Sequence, residues 1–179
     1  MKSVALFCAA SDNIEPLYFE AAYNVGKMLG EMCAELVYGG ARFGLMEAAA
    51  KAAKATGARV VGVVPEILVE RDRVSMLLDE RVLCRNLSER KDIMLQRSDV
   101  IVALPGGLGT LDEIFHVAAA ATIGYHNKRV VLYNVGGYWT NLINMLGCME
   151  QNGFLRGGFD KYISIANSMD ELKEFINKA

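Results

Sequence analysis

The sequence predicts an α/β fold, a doubly wound, Rossmann-like parallel sheet with helices on both faces. Short apolar runs rich in valine alternate with longer stretches of helical pattern along the whole chain. Apolar residues make up 53% of the 179 residues, so we expect both sheet faces to be covered and some apolar surface to be buried between subunits. Because no repeat or linker interrupts the alternation, residues 1–179 are expected to form a single domain.

The first half of the chain supplies the first strand–helix units. Strands are expected at 4–8, 36–38 and 60–64, and helices at 15–32 and 45–56. Gly57 follows the second helix where a C′ glycine commonly ends one. The segment 66–86 is charged and irregular, and we expect it to return to the sheet as a strand near Val82–Cys84.

The second half continues the alternation. Strands are expected at 100–104, 129–133 and 162–166, and helices at 87–97, 139–151 and 170–177. The run Val100–Leu104 has five apolar residues and no charge, which is typical of a strand buried on both faces. Ser168 is expected to cap the last helix.

A glycine-rich turn, Pro105–Thr110, joins this buried strand to an alanine-rich helix. Its glycines leave little side chain in the way, so backbone N–H groups and the positive end of the helix can bind an anion. Thr110 is the candidate N-cap, and Glu113 three residues later would complete a capping box. The turn therefore predicts an anion site.

A second glycine cluster, Gly39–Gly44, also lies between a strand and a helix. Neither cluster is a P-loop, and Asp112 stands where a dinucleotide fingerprint would have its third glycine. This argues against a nicotinamide or flavin enzyme. The alternative for both clusters is that the glycines only permit tight turns.

Composition argues against several other classes of protein. A net charge of −2 gives no reason to expect nucleic acid or an acidic membrane as partner, and no apolar stretch reaches the roughly 20 residues of a membrane helix. Cys8, Cys33, Cys84 and Cys148 are scattered without a C-x-x-C pair, which favours reduced core thiols and a cytoplasmic location. With two histidines, metal catalysis is not expected, and we expect no cofactor.

Two motifs connect the chain to a known family. Residues Pro105–Glu113 fit P-G-G-x-G-T-x-x-E without a gap, and Arg90–Lys91 precedes them at the family spacing. The chain resembles the LONELY GUY (LOG) family, often labelled lysine decarboxylases, over nearly its whole length. The resemblance implies a phosphoribohydrolase that cuts the N-glycosidic bond of AMP or a cytokinin riboside monophosphate, releasing free base and ribose 5-phosphate. It also implies a homodimer.

The resemblance assigns catalysis to Arg90 and Glu113. Arg90 would hold substrate and stabilise the transition state, and Lys91 would support it. Glu113 would stabilise positive charge on the ribose and orient or deprotonate water. Two alternatives stay open: Arg90 and Lys91 could belong to a solvated charged face, and Glu113 could serve only its helix cap.

The residues expected to bind substrate lie in the turn, at the start of the following helix, in the Arg-Lys pair and in the irregular segment. They are Asp72, Arg90, Lys91, Gly106, Gly107, Leu108, Gly109, Thr110, Leu111 and Asp112. Asp72 stands where the family often has a substrate-contacting glutamate, although a solvated surface acid is the simpler interpretation. His116, one helical turn after Glu113, could approach the site.

The chain departs from the family pattern at several positions. Ala41 and Glu47 replace glycines, and Ala120 and Thr122 replace a tryptophan and a glutamine that the resemblance places near the base. A non-catalytic nucleotide-binding or carrier protein of the same fold is therefore the second hypothesis. The small-residue run Ala118–Ala121 favours close helix packing between subunits.

Overall fold

The computed structural model describes residues 1–155 and 157–179, which contain a seven-stranded sheet with the order β4-β3-β2-β1-β5-β6-β7. Each neighbouring pair of strands is parallel. The strands are β1 (Ser3–Phe7), β2 (Glu35–Tyr38), β3 (Val60–Pro65), β4 (Glu80–Cys84), β5 (Val100–Ala103), β6 (Val130–Tyr133) and β7 (Ile163–Ala166). The predicted α/β class is confirmed.

Helices connect successive strands, as a parallel sheet requires. They are α1 (Pro16–Glu31), α2 (Gly44–Ala55), α3 (Glu66–Glu70), α4 (Leu87–Arg97), α5 (Leu108–Thr122), α6 (Thr140–Gln151) and α7 (Met169–Lys178). Short 3₁₀ turns lie at Val135–Gly137 and Phe159–Lys161. Ser168 caps α7 as predicted, because its hydroxyl accepts a hydrogen bond from the N–H of Glu171.

Two apolar layers cover the sheet. Val4 and Leu6 of β1 face the layer that contains α1, α2 and α7, while Ala5 and Phe7 face the layer of α4, α5 and α6. Since successive side chains of a strand point to opposite faces, a strand that is apolar throughout has to be covered on both. This explains why the short strands read as continuous apolar runs.

The strand order reverses between β1 and β5, which creates a topological switch point at their carboxyl ends. Leu104 donates its N–H to the carbonyl of Phe7 at 2.9 Å, and Ala9 donates its N–H to the carbonyl of Pro105 at 3.2 Å. The glycine-rich turn is thereby tied to the end of β1. Ligands of doubly wound proteins bind at this crevice.

Two details differ from the sequence-based expectations. The segment 66–86 begins with a short helix, α3, which its charged and irregular pattern did not indicate, before it returns as β4. Cys8 and Cys84 are buried, but Cys33 and Cys148 are exposed, so the expectation of four core thiols was wrong for two of them. Among the described residues, no helix is long and apolar enough to cross a membrane.

Candidate functional site

The glycine-rich turn ends in an open helix N-terminus. α5 begins at Leu108, and Leu111 is the first of its N–H donors to find a carbonyl, that of Gly107, at 3.0 Å. Within the described residues, no hydrogen bond engages the N–H groups of Leu108, Gly109 or Thr110. Three donors at the positive end of a 15-residue helix therefore remain available to an anion.

This start of α5 corrects the predicted cap. Gly107 is the N-cap residue and no side chain caps the helix, whereas Thr110 is buried inside the first turn. Glu113 therefore lies beyond the capping position and cannot close a capping box. The capping interpretation of Glu113 was wrong, because the helix starts within the glycine motif rather than after it.

Close packing holds the turn in shape. A Cβ atom at Gly106 would overlap the hydroxyl of Thr110 and lie 2.6 Å from its Cβ. Tyr138 donates its hydroxyl to the carbonyl of Gly106 at 2.8 Å, and its ring meets those of Tyr18 and Trp139 edge-on. Sequence reasoning missed Tyr138, although it follows the carboxyl end of β6 and so reaches the edge of the sheet where the turn lies.

The second glycine cluster differs from the first because protein groups already occupy the N-terminus of α2. Gly44 donates its N–H to the carboxylate of Asp12 at 2.8 Å, and Leu45 donates its N–H to the carbonyl of Ala9 at 3.0 Å. Of the two helix N-termini that follow glycine clusters, the one at α5 has more N–H groups without a partner among the described residues.

A carboxylate and a guanidinium meet beside this turn. Nη2 of Arg90, on α4, lies 3.4 Å from Oε1 of Glu113, on α5, and the two side chains are 11% and 7% exposed. Nε of Arg90 is buried without a hydrogen-bond partner among the described residues. The alternative of a solvated charged face does not hold for Arg90, because a solvated guanidinium would be exposed.

Burial controls the ionisation of Glu113. Removal from water raises the pKa of its carboxyl from 4.5 to about 7, against the pull of the Arg90 guanidinium, which lowers it. The buried thiol of Cys8, at the end of β1, lies in the same electrostatic environment, and burial raises its pKa with a smaller contribution from Glu113. A carboxyl with a pKa near 7 can both accept and release a proton at neutral pH.

Lys91 forms a second ion pair at the same place. Its Nζ lies 2.8 and 2.7 Å from the two carboxylate oxygens of Asp112, and Asp112 is about half exposed. Lys91 and Asp112 extend the α4–α5 contact made by Arg90 and Glu113. Four of the charged residues predicted for the site are therefore brought together by these two helices.

Two predicted residues make their contacts elsewhere. Asp72 is largely exposed, has a left-handed backbone (φ 51°) and pairs with Arg42 at 3.0 Å. His116 turns towards α4, where its Nε2 lies 3.0 Å from the carboxylate of Asp92. For Asp72, the surface-acid interpretation matches the structure better than a contact with the Arg90–Glu113 pair.

Comparison with known proteins identifies the family. Residues 46–176 match the family model described as "possible lysine decarboxylase". A relative from Oryza sativa subsp. japonica, named a probable cytokinin riboside 5′-monophosphate phosphoribohydrolase, is 34% identical over 179 residues, which cover 100% of this chain and 78% of the relative. An Arabidopsis thaliana cytokinin riboside 5′-monophosphate phosphoribohydrolase is 35% identical, with 96% of this chain and 79% of the relative covered.

A solved structure shares the fold. The molybdenum cofactor binding protein from the phototrophic bacterium Rippkaea orientalis superposes with a TM-score of 0.76 at 22% identity, covering 99% of this chain and 97% of that protein. At this identity the likeness concerns the fold alone. The family model and the full-length similarity to the plant proteins show that this chain belongs to the LONELY GUY (LOG) family.

Proposed function

We propose that this protein hydrolyses the N-glycosidic bond of a nucleoside 5′-monophosphate, AMP or a cytokinin riboside monophosphate, to free base and ribose 5-phosphate. The observation that carries the proposal is the buried Arg90–Glu113 pair next to the open N-terminus of α5. The full-length relatives named phosphoribohydrolases support the same reaction.

The phosphate would bind at the turn. Backbone N–H groups and the positive end of the helix dipole come together at Gly106, Gly107, Gly109 and Thr110. These groups would bind the phosphate whichever nucleobase the nucleotide carries. Lys91 adds positive charge nearby, although its Nζ is shared with Asp112. A 5′-phosphate held there would leave the ribose to reach towards Arg90 and Glu113.

The chemistry would take place at C1′ of the ribose. As the bond from C1′ to the base nitrogen breaks, its electron pair leaves with the base and positive charge develops on the ribose. The carboxylate of Glu113 would stabilise this charge and accept a proton from the water whose oxygen bonds to C1′. Arg90 would orient substrate hydroxyls or phosphate through its planar fork of donors. The second hydrogen of the water stays on the new C1′ hydroxyl, and the proton accepted by Glu113 passes to the departing base, which regenerates the carboxylate.

A carrier that binds the nucleotide without cleaving it is the alternative, because the α5 turn alone can bind a phosphate. Against it stands the pKa of Glu113 near 7, which a binding role does not require. Lysine decarboxylation is not proposed, because the amine of Lys91 is engaged by both oxygens of Asp112, whereas a Schiff base needs a free amine.

The assembly proposed for this activity is a homodimer, or a larger homo-oligomer, in the cytoplasm. An apolar groove of about 410 Å³ lies between α5 and α6. Phe115, Ile123 and Phe154 expose large apolar surfaces on or near it. The four free cysteines are typical of a reducing compartment.

Product analysis tests the reaction. Purified protein is incubated with AMP, other nucleoside monophosphates and cytokinin riboside monophosphates, and free base and ribose 5-phosphate are measured by chromatography. We expect equal amounts of both products, and little from adenosine, which lacks the phosphate. Tight binding of a monophosphate without release of base would favour the carrier and contradict the hydrolase.

A further inference from the structure

We propose that Gly39 is a positioning residue: its lack of a side chain leaves the space in which the Arg90 guanidinium is held against Glu113. Gly39 follows the carboxyl end of β2, which pairs in parallel with β1 and so ends at the same edge of the sheet as the switch point. Only the expected effect of Gly39 on turnover rests on the proposed function. The geometry itself concerns three residues of this chain and can be tested without substrate.

The space around Gly39 is filled by Arg90. A Cβ atom built on Gly39 would overlap Nη2 of Arg90 and lie 2.8 Å from its Cζ, well inside the 3.5–4.0 Å of an ordinary contact. The same Nη2 lies 3.4 Å from Oε1 of Glu113. A methyl group at position 39 would therefore occupy the space that Nη2 of Arg90 needs in order to pair with Glu113.

The backbone at Gly39 does not itself require glycine. Gly40, the next residue, has a φ of +70°, whereas Gly39 is absent from the positive-φ residues of the described chain. Apart from Arg90, the nearest atom to the added Cβ is Cε of Met46, at 3.2 Å. Both obstacles are ends of flexible side chains, so an alanine is expected to move Arg90 rather than prevent folding.

Displacement of Arg90 has an electrostatic consequence at Glu113. The charged and titratable groups around this carboxyl are Arg90 and Lys91 from α4, Cys8 from just after β1, and Asp112 from its own helix. Arg90 makes the largest contribution that favours the ionised form. Loss of an opposite charge at this range typically raises a carboxyl pKa by about 1–3 units. The midpoint of Glu113 is therefore expected to rise.

The test is a titration of Glu113 by NMR, with ¹³C-labelled glutamate carboxyls and the Glu113 signal assigned by its absence in Glu113→Gln. We expect Gly39→Ala to raise the midpoint by about 1 pH unit, towards the value in Arg90→Ala. The acid limb of kcat/KM for AMP should move in the same direction, and kcat/KM at pH 7 should fall roughly 10-fold. An unchanged midpoint in Gly39→Ala would overturn the proposal.

Two further variants separate positioning from a general loss of packing. A Cβ at Gly26 would overlap the backbone carbonyl oxygen of Ala49, so Gly26→Ala should lower the melting temperature without moving the Glu113 midpoint. In an Arg90→Ala background, Gly39→Ala should add no further shift. An added shift of the same size would mean that Gly39 acts through something other than Arg90, and the proposal would be wrong.

The double variant also decides the outcome if Gly39→Ala does not fold. Recovery of folding in Gly39→Ala with Arg90→Ala would identify Arg90 as the obstacle and support the proposal. If neither Gly39→Ala nor the double variant folded, Gly39 would be required for a reason other than Arg90, and the proposal would be wrong. Since the carboxyl titration needs no turnover, an inactive wild-type protein would contradict the proposed hydrolase and leave the test of Gly39 intact.

Discussion

Replacement of Glu113 by glutamine should remove activity and yet make the protein more stable at neutral and alkaline pH. Burial raises the pKa of Glu113 from 4.5 to about 7, so the folded protein binds a proton more tightly there than the unfolded chain does. This contribution to stability is complete below pH 4.5 and is lost as the pH rises to about 7. Glutamine resembles the protonated form and has no such loss.

The magnitude follows from the two pKa values. At about 1.4 kcal/mol per pKa unit, ionisation of Glu113 costs the folded state about 3 kcal/mol. In a chain of this length, 1 kcal/mol corresponds to about 2–4 °C in melting temperature. We therefore expect Glu113→Gln and the wild type to melt together near pH 4.5, and the variant to melt about 6–12 °C higher at pH 7.5. Loss of the base should lower kcat by about 10²–10⁴-fold.

Calorimetry across pH 4.5–8 and the AMP assay measure both effects. Glu174→Gln on α7 is the control, because Glu174 is 67% exposed and its replacement should produce no comparable pH-dependent difference. If Glu113 were only the structural counter-ion of Arg90, its replacement would strand a buried charge and destabilise the protein by about 3–5 kcal/mol. A variant that melts below the wild type at pH 7.5, or that keeps near-wild-type turnover, would refute the reasoning.

Four other expectations can be tested with the same preparations. Arg90→Ala should remain folded by circular dichroism, bind AMP more weakly by calorimetry and lose most of its turnover, with an acid limb at higher pH than the wild type. Asp112→Asn should change the free energy of unfolding by less than about 1 kcal/mol in a denaturant titration, because its pair with Lys91 is partly solvated. Excess chelator should leave the rate of base release unchanged; activity that returned only with a divalent ion would contradict this. Light scattering at micromolar concentration should give at least twice the mass of 19.6 kDa; a monomer would contradict the proposed assembly.

The local patterns of the sequence were sufficient for the class of fold and for the turn that organises it. Runs such as Val100–Leu104 and Val60–Val64 are too short and too apolar for surface helices, and only a sheet covered on both faces buries them. The glycine-rich turn could be placed at the sheet edge because it directly follows a strand. Gly57 and Ser168 mark helix ends by chemistry that involves only neighbouring residues.

The tertiary structure decided where α5 begins and what its side chains meet. A capping box at Thr110 was locally reasonable, but the hydroxyl of Thr110 packs against Gly106 and the helix starts at Leu108. The short helix α3 was missed because its charged residues show no helical periodicity over so few positions.

The sequence alone determined which residue types were available, and only the folded chain determined their distances. The contact between Arg90 and Glu113 depends on how α4 and α5 pack on one face of the sheet. The pKa of Glu113 depends on burial, which no neighbour in the sequence reveals. The proposed role of Gly39 arises because β2, α4 and α5 converge at one edge of the sheet. There the side chain of Arg90, from α4, fills the space beside Gly39. Burial and close packing are properties of the whole fold, whereas periodicity and capping are properties of a few consecutive residues.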